Sequence, residues 1–314
     1  MSRGRVAALV VGLVLVVVAG ALVALALVPR PRAAAPPVPP SSSTSSPASS
    51  SPSSTPAEPQ STAPGGTLAP CPRSTGTRLR VLTLNIHFGK TPAGEPGLER
   101  IARELRAWQP DVVVLNEVDR GRGRSGGVAQ ARELGRLTGM TAAYGPNRRY
   151  GGGTSGNAVL SRLPVLGSRN QPLPFRAGTI PRGLLRVTVD LEGQPVDVYA
   201  THFEHTSPAA RRAQAREVGR TVSRGSRPFV LGGDLNATPR GVALEVLDRF
   251  GIIDSWKVVG RGPGFTVPAA APRKRIDYLL SDDRMVPVRS KVVLSRITDH
   301  RGVRTVFDVL PADC

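Results

Sequence analysis

The chain is predicted to fold in the α+β class, as two packed sheets flanked by helices, and three observations predict it. Apolar runs with strand character outnumber helical ones along residues 79–310. Helices are interspersed among them without the regular alternation that a parallel βαβ succession requires. The runs also end repeatedly in Asn, Asp, Glu or His.

Taken in order, residues 80–86 alternate apolar and polar before turning apolar, as a strand entering a core does. Leu98, Ile101, Ala102 and Leu105 fall at i, i+3, i+4 and i+7, one apolar helix face ahead of Pro110. Residues 111–118 read as a buried strand with a polar end. Further strands are predicted at 157–161, 184–191, 196–202, 229–233, 275–281, 286–294 and 303–310, and helices at 208–222 and 239–250. No internal repeat is evident in the sequence.

Two non-globular stretches precede this domain. Residues 6–28 hold no charged or strongly polar side chain and follow Arg3 and Arg5. They meet the length of about 20 apolar residues that a bilayer-spanning helix needs, while Ala24-Leu25-Ala26 leaves signal cleavage open. Residues 1–30 are thus expected to be a transmembrane anchor or signal segment. Residues 31–77, rich in Pro, Ser and Thr, lack the apolar side chains to offset chain entropy and are expected to form a disordered linker. Such a spacer reaches on the order of 100 Å. Residues 78–314 are expected to form one folded domain, a monomer at the cell membrane, single-pass and extracytoplasmic, or alternatively secreted.

The full chain carries +19. Residues 1–77 hold five arginines and Glu58, so 37 cationic and 22 acidic residues, a balance of +15, fall in 78–314. A basic surface suits nucleic acid, anionic lipid or another polyphosphate. Only Lys90, Lys257, Lys274 and Lys291 are lysines, so base composition of the genome is an equal explanation of the arginines. Cys71 and Cys314, the two cysteines, bracket the domain. Two thiols are too few for a zinc site, and a disulfide is the natural pairing in an oxidising compartment, with the first and last strands antiparallel and Leu79 near Leu310.

The polar residues at strand ends are the candidate site. Placing carboxylate, amide and imidazole groups there is costly unless they pair or hold a metal. All four histidines, His87, His202, His205 and His300, lie in or beside these segments. Taken singly, each has a structural reading: Glu117 as a salt-bridged strand end, Asp234 and Asn236 as a turn or helix cap, His300 as a core histidine. Glu204 and His205 read as a solvated loop. Asp277 is harder to assign so, because its strand looks buried.

The order of the motifs is specific. The succession Leu84-Asn85-Ile86, Asn116-Glu117-Val118, Gly156 to Ser161, Thr201-His202, Gly233-Asp234-Leu235-Asn236, Arg275-Ile276-Asp277-Tyr278 and Thr298-Asp299-His300 resembles the endonuclease/exonuclease/phosphatase superfamily. The resemblance covers essentially all of residues 79–310 and implies a deoxyribonuclease-I-like fold: a four-layer α/β/β/α sandwich of two mostly antiparallel six-stranded sheets, with the site at one edge. It implies Glu117, Asn85 and Asp299 as ligands of Mg²⁺ or Mn²⁺. It implies Asp234 as the group that orients or deprotonates water, Asn236 as a phosphate contact, and His300 as a phosphate contact oriented by Asp277. His202 is implied near the leaving oxygen, and Asn157 and Arg182 as further phosphate contacts. Thr298 stands for the more usual Ser, Leu235 for Phe and Asn116 for Gln. His87 replaces the acidic residue common in repair nucleases and argues against that class.

The resemblance implies metal-dependent hydrolysis of a phosphodiester, in extracytoplasmic nucleic acid or a phospholipid head group. A phosphomonoesterase acting on inositol phosphates or lipids is the enzymatic alternative, and a non-catalytic binding module on the same fold the other. The Arg-rich stretches 121–124, 148–150 and 273–275 are candidate phosphate-contacting loops, against a reading as solvated arginines.

Overall fold

The computed structural model describes residues 76–311. The apolar stretch 6–28, the linker, Cys71 and Cys314 lie outside the described residues, and among those described no helix is long and apolar enough to cross a membrane.

Alternation along the strands sets the layers. In β1 (Arg78–Asn85), Leu79 and Val81 join one core while Leu82 and Leu84 join another, and all four are fully buried. In β2 (Val112–Arg120), Val112 and Val114 face the first core and Val113 and Leu115 the second. A strand buried on both faces lacks the polar alternation of a solvated sheet, which is why 111–118 reads as continuous apolar sequence.

The first sheet adds β3 (Thr141–Tyr150), β4 (Gly153–Ser161), β11 (Met285–Val293) and β12 (Gly302–Val309), in the order β11-β12-β1-β2-β4-β3. The second comprises β5 (Val165–Pro172), β6 (Gly183–Leu191), β7 (Gln194–Thr201), β8 (Phe229–Asp234), β9 (Ile253–Asp254) and β10 (Asp277–Ser281), in the order β5-β6-β7-β8-β10-β9. Val187, Val198, Val230 and Leu279 pack against Val81, Val114 and Phe307 between the sheets. Helices α1 (Leu98–Trp108) and α2 (Gln130–Thr138) cover the first sheet through Ile101, Leu105 and Leu134. Helices α3 (Pro208–Val222) and α4 (Val242–Asp248) cover the second through Val218, Val222 and Leu247. A short α5 (Ser255–Val259) follows β9. The expected α/β/β/α sandwich is observed.

The two sheets share one plan. Each has a single parallel pair at its centre, β1–β2 and β7–β8, bridged by α1 and by α3, and every other pairing is antiparallel. This duplication is one of strand order alone, consistent with the lack of an internal repeat in the sequence. The first and last strands pair antiparallel as expected, but Leu79 faces Phe307 and not Leu310.

Candidate active site

The shared plan brings the same three strands of each sheet to one edge. β1, β2 and β4 supply Asn85, Asn116, Glu117 and Asn157, while β7, β8 and β10 lead to His202, Asp234 and Asp277. Thr298, Asp299 and His300 come from the segment entering β12. Thr298 donates its hydroxyl to the carbonyl of Asn85 at 2.7 Å, which ties that segment to β1.

Amides staple the two sheets together here. Asn116 accepts the Asp234 N–H at 2.8 Å and donates to Asn157 Oδ1 at 3.0 Å and to the Thr201 carbonyl at 2.9 Å. Asn157 Nδ2 donates to the carbonyls of Gly183 (3.1 Å) and Ala200 (3.3 Å). Asn157 lines the cleft, yet these bonds engage its amide within the protein, so it positions the strands in place of offering a free phosphate contact. Gly233 is required for the same approach: at φ 144° a Cβ would stand 1.8 Å from the Thr201 carbonyl oxygen.

Glu117 is delivered by a defect in the ladder. The β2–β4 register shifts between Leu115 and Val118, and Glu117 takes φ 56°, the left-handed region that a Glu occupies at a cost of about 1–3 kcal/mol. The bulge turns its carboxylate toward Asn85, whose Nδ2 donates to Glu117 Oε1 at 3.1 Å and to Asp234 Oδ2 at 3.3 Å. Two carboxylates thus converge on one amide nitrogen. An oxygen-rich cluster of this kind fits a hard cation such as Mg²⁺ or Mn²⁺ in place of zinc. Asp299 is half-buried next to Thr298, whose hydroxyl donates to it at 3.3 Å.

Asp234 sits at the centre. It lies opposite Asp277 in the β8–β10 ladder, accepts the Asn236 N–H at 2.8 Å, and has Oδ2 3.6 Å from His202 Nε2 and 3.8 Å from His300 Nε2. Burial, with the Asp277 charge beside it, pushes its carboxyl up to about 7. His300 Nδ1 meets Asp277 Oδ2 at 2.9 Å. Burial alone lowers the imidazole, but the charge and hydrogen bond of Asp277, with Asp234 and Asp299 behind them, outweigh it and raise His300 to about 10. The Asp277 backbone N–H is in turn 3.4 Å from Thr266 Oγ1. Asp234, Asp277 and His300 have donor atoms close enough to chelate a cation, but the short Asp277–His300 bond commits those two side chains to each other.

His202 behaves oppositely. Burial and the nearby Arg182 hold it well below the ordinary histidine range, so it is neutral. Asn236, itself at φ 48°, points Nδ2 at both the Phe203 carbonyl and His202 Nε2, 3.0 Å from each. A carbonyl only accepts, so Nε2 of His202 is the unprotonated nitrogen. His202 therefore orients Asn236 and holds no proton on the atom that faces the site.

Two loop assignments from the sequence are corrected. Glu204 is not solvated: it is fully buried and accepts bonds from the Ile180 N–H (3.0 Å), the Thr206 N–H (2.9 Å) and the Thr206 hydroxyl (2.8 Å), with Arg182 Nε 3.8 Å away. Burial opposes its charge, but these donors win and lower its carboxyl to about 2. Only His205 is exposed, as expected. Arg275 is not a phosphate contact: it is buried, bound to Asp254 at 2.8 and 3.0 Å, and stacked on Tyr278. Nothing in sequence pointed to Glu204, whose donors include a residue 24 positions away.

Glu204 positions the loop that carries Arg182 into the cleft, and this has a measurable consequence. Its folded pKa is depressed, so its stabilisation is full above pH 4.5 and is lost as pH falls toward 2. Glu204→Gln is expected to lower stability at pH 7 by about 2 kcal/mol, the worth of hydrogen bonds to a charged group, and to flatten acid unfolding below pH 4.5. Urea melts across this pH range read both; an unchanged acid limb would remove the assigned role.

Together Glu117, Asn157, Arg182, His202, Asp234, Asn236 and His300 line one cleft of about 390 Å³. The sequence profile described as the Endonuclease/Exonuclease/phosphatase family matches residues 82–300. The uncharacterized protein YbhP of Escherichia coli (strain K12) is 26% identical over 213 residues, covering 64% of this chain and 83% of that protein. Among solved structures, the endonuclease/exonuclease/phosphatase from Beutenbergia cavernae DSM 12333 superposes with TM-score 0.61 at 30% identity, covering 75% of this chain and 72% of that one. The mannosyl-6-phosphatase Bt3783 of Bacteroides thetaiotaomicron VPI-5482 shares the fold at TM-score 0.61 and 15% identity, over 72% of this chain and 98% of that one. The deoxyribonuclease-I-like sandwich, the ordered motifs and the family profile agree, and the chain belongs to the endonuclease/exonuclease/phosphatase family.

Proposed function

We propose that the chain is a metal-dependent phosphodiesterase. The observation that carries this reading is the pairing of a carboxyl raised to about 7, Asp234, with a protonated imidazole held by a buried carboxylate, His300 with Asp277, across one cleft. Hydrolysis of a diester needs a proton removed from the attacking water and charge or a proton supplied to the departing oxygen. Asp234, poised near neutrality, takes the water proton as the new P–O bond forms. Protonated His300 faces the phosphate, offsets its negative charge, and donates toward the leaving oxygen as the old P–O bond breaks. Asp277 stabilises the imidazolium throughout. Asn236, fixed by His202, and Arg182, fixed by Glu204, orient the phosphate oxygens. Glu117, Asn85 and Asp299 would hold Mg²⁺ or Mn²⁺, which when bound neutralises charge on those oxygens.

The apolar stretch 6–28 and the linker support an enzyme tethered to the membrane, or secreted, with its domain outside the cytoplasm, where extracellular nucleic acid and phospholipid head groups are within reach. The test is hydrolysis by the full chain of plasmid DNA, sphingomyelin vesicles, bis-p-nitrophenyl phosphate and inositol monophosphate, with Mg²⁺ or EDTA. Metal-dependent cleavage of diesters ahead of the monoester is expected. Faster release from the monoester would replace the reading with a phosphomonoesterase, and turnover of none with a binding module.

Asp277→Asn probes the relay separately. With its partner neutral, His300 loses the influence that outweighs burial, and its pKa falls. The alkaline limb of the rate profile is then expected to move to lower pH; a profile that only scales down would leave Asp277 a purely structural role.

A further inference from the structure

The relay and cation ligands account for one phosphate, but the cleft that holds them continues onto a basic wall they do not use. Arg122, Arg148 and Tyr150 line it. Tyr150, at the end of β3, has two guanidinium groups over its ring, Arg122 at 4.7 Å from the centroid and Arg148 at 4.4 Å. Arg122 is only 5% exposed, and its Nε has no hydrogen-bond partner. Among the described residues its carboxylate partner is Asp119, 3.6 Å from Nη1 and already held by Arg124 through bonds of 2.7 and 2.9 Å. Arg148 has no carboxylate partner among the described residues. Asp119 therefore answers one arginine of the three and leaves two positive charges on this wall.

A buried guanidinium left without full pairing is costly unless an anion meets it. Contact with Tyr150, and burial in the case of Arg122, restrict the two guanidinium groups before any ligand arrives, which lowers the side-chain freedom lost on binding. Two forked donors held against one ring and lining one cleft suit a phosphate group better than a single-point anion.

We propose that Arg122, Arg148 and Tyr150 form a subsite for a second phosphate on the substrate, so that the preferred phosphodiester is one that carries a further phosphate beside the scissile ester. The inference rests on the phosphodiesterase reading for its scissile ester. That further phosphate comes either from the next unit of a nucleic acid backbone or from a phosphorylated inositol head group.

Calorimetric titration of the full chain in EDTA separates these without turnover, using two matched pairs: a nucleoside bisphosphate against its monophosphate, and an inositol bisphosphate against its monophosphate. At least about tenfold tighter binding of the bisphosphate is expected in one pair, the factor that about 1.4 kcal/mol supplies. The pair that shows the gain identifies the source of the phosphate. The gain is expected to vanish in Arg148→Gln and to return in part in Arg148→Lys, with folding of each variant checked by its thermal melt. Bisphosphates that bind no tighter than monophosphates in either pair would overturn the subsite. So would a gain that persists in both Arg148→Gln and Arg122→Gln. Failure of the wild type to cleave any diester would instead remove the phosphodiesterase reading, whatever the binding ratio.

Discussion

Asp234→Asn is expected to lower kcat on a phosphodiester by about a thousandfold or more, the upper part of the range for a positioned proton acceptor, while leaving the fold at least as stable as before. Both halves follow from the same environment. Burial and Asp277 raise this carboxyl from 3.8 to about 7. An acid whose folded pKa lies above its unfolded value binds more protons folded than unfolded between the two, so stability contributed there falls as pH rises through that window. Replacing the carboxylate with a neutral amide of the same shape removes that penalty. In metal-free buffer at pH 8, the thermal midpoint of Asp234→Asn is therefore expected at or above that of the wild type. A variant both inactive and markedly less stable would mean that Asp234 is a structural carboxylate, the turn or cap reading that its sequence also allows.

Glu117→Gly carries the second large effect. Glycine adopts φ 56° without the penalty a Glu incurs, so the change is expected to be neutral or stabilising by about 1 kcal/mol. Activity should nevertheless fall about a hundredfold or more, as for removal of a preorganised electrostatic group, and half-activation should require at least about tenfold more Mg²⁺. A strained residue whose relief abolishes activity is placed for chemistry and not for folding. Unchanged Mg²⁺ dependence in a folded variant would move the cation away from Glu117.

Most of this site was legible in sequence because its chemistry interrupts apolar runs. Asn85, Glu117, Asp234 and Asp277 each break a strand that is buried on both sides, and such breaks are informative only because water is absent there. Helix α3 could be read to its ends, since Ser207 caps it, accepting the Ala210 N–H, and Pro208 occupies its first turn. The strands that escaped were edge strands. β5 is exposed along most of its length, and β3 is half-exposed and holds Gly145 and Pro146, so neither shows an apolar period. The nine residues of α2, the five of α5 and the two of β9 are too short to stand out from their surroundings. Partnership was less visible still. Glu204 and Arg275 read as solvated or phosphate-facing charges because Ile180 and Asp254, which pair with them, reach them only through the fold. The inverse shifts of His202 and His300 have the same origin: burial and Arg182 lower the first, while the bond to Asp277 outweighs burial in the second, and these partners meet only through the fold.

The measurement that bears most directly on the whole account is the initial rate of bis-p-nitrophenyl phosphate hydrolysis by the full chain as Mg²⁺ is titrated into metal-free protein, with Asp234→Asn run alongside. A rate that rises saturably with Mg²⁺ in the wild type and stays near background in the variant is the expected result. Hydrolysis that ignores Mg²⁺, or that Asp234→Asn sustains at the wild-type rate, would contradict the assignment of this cleft as a metal-dependent phosphodiesterase site.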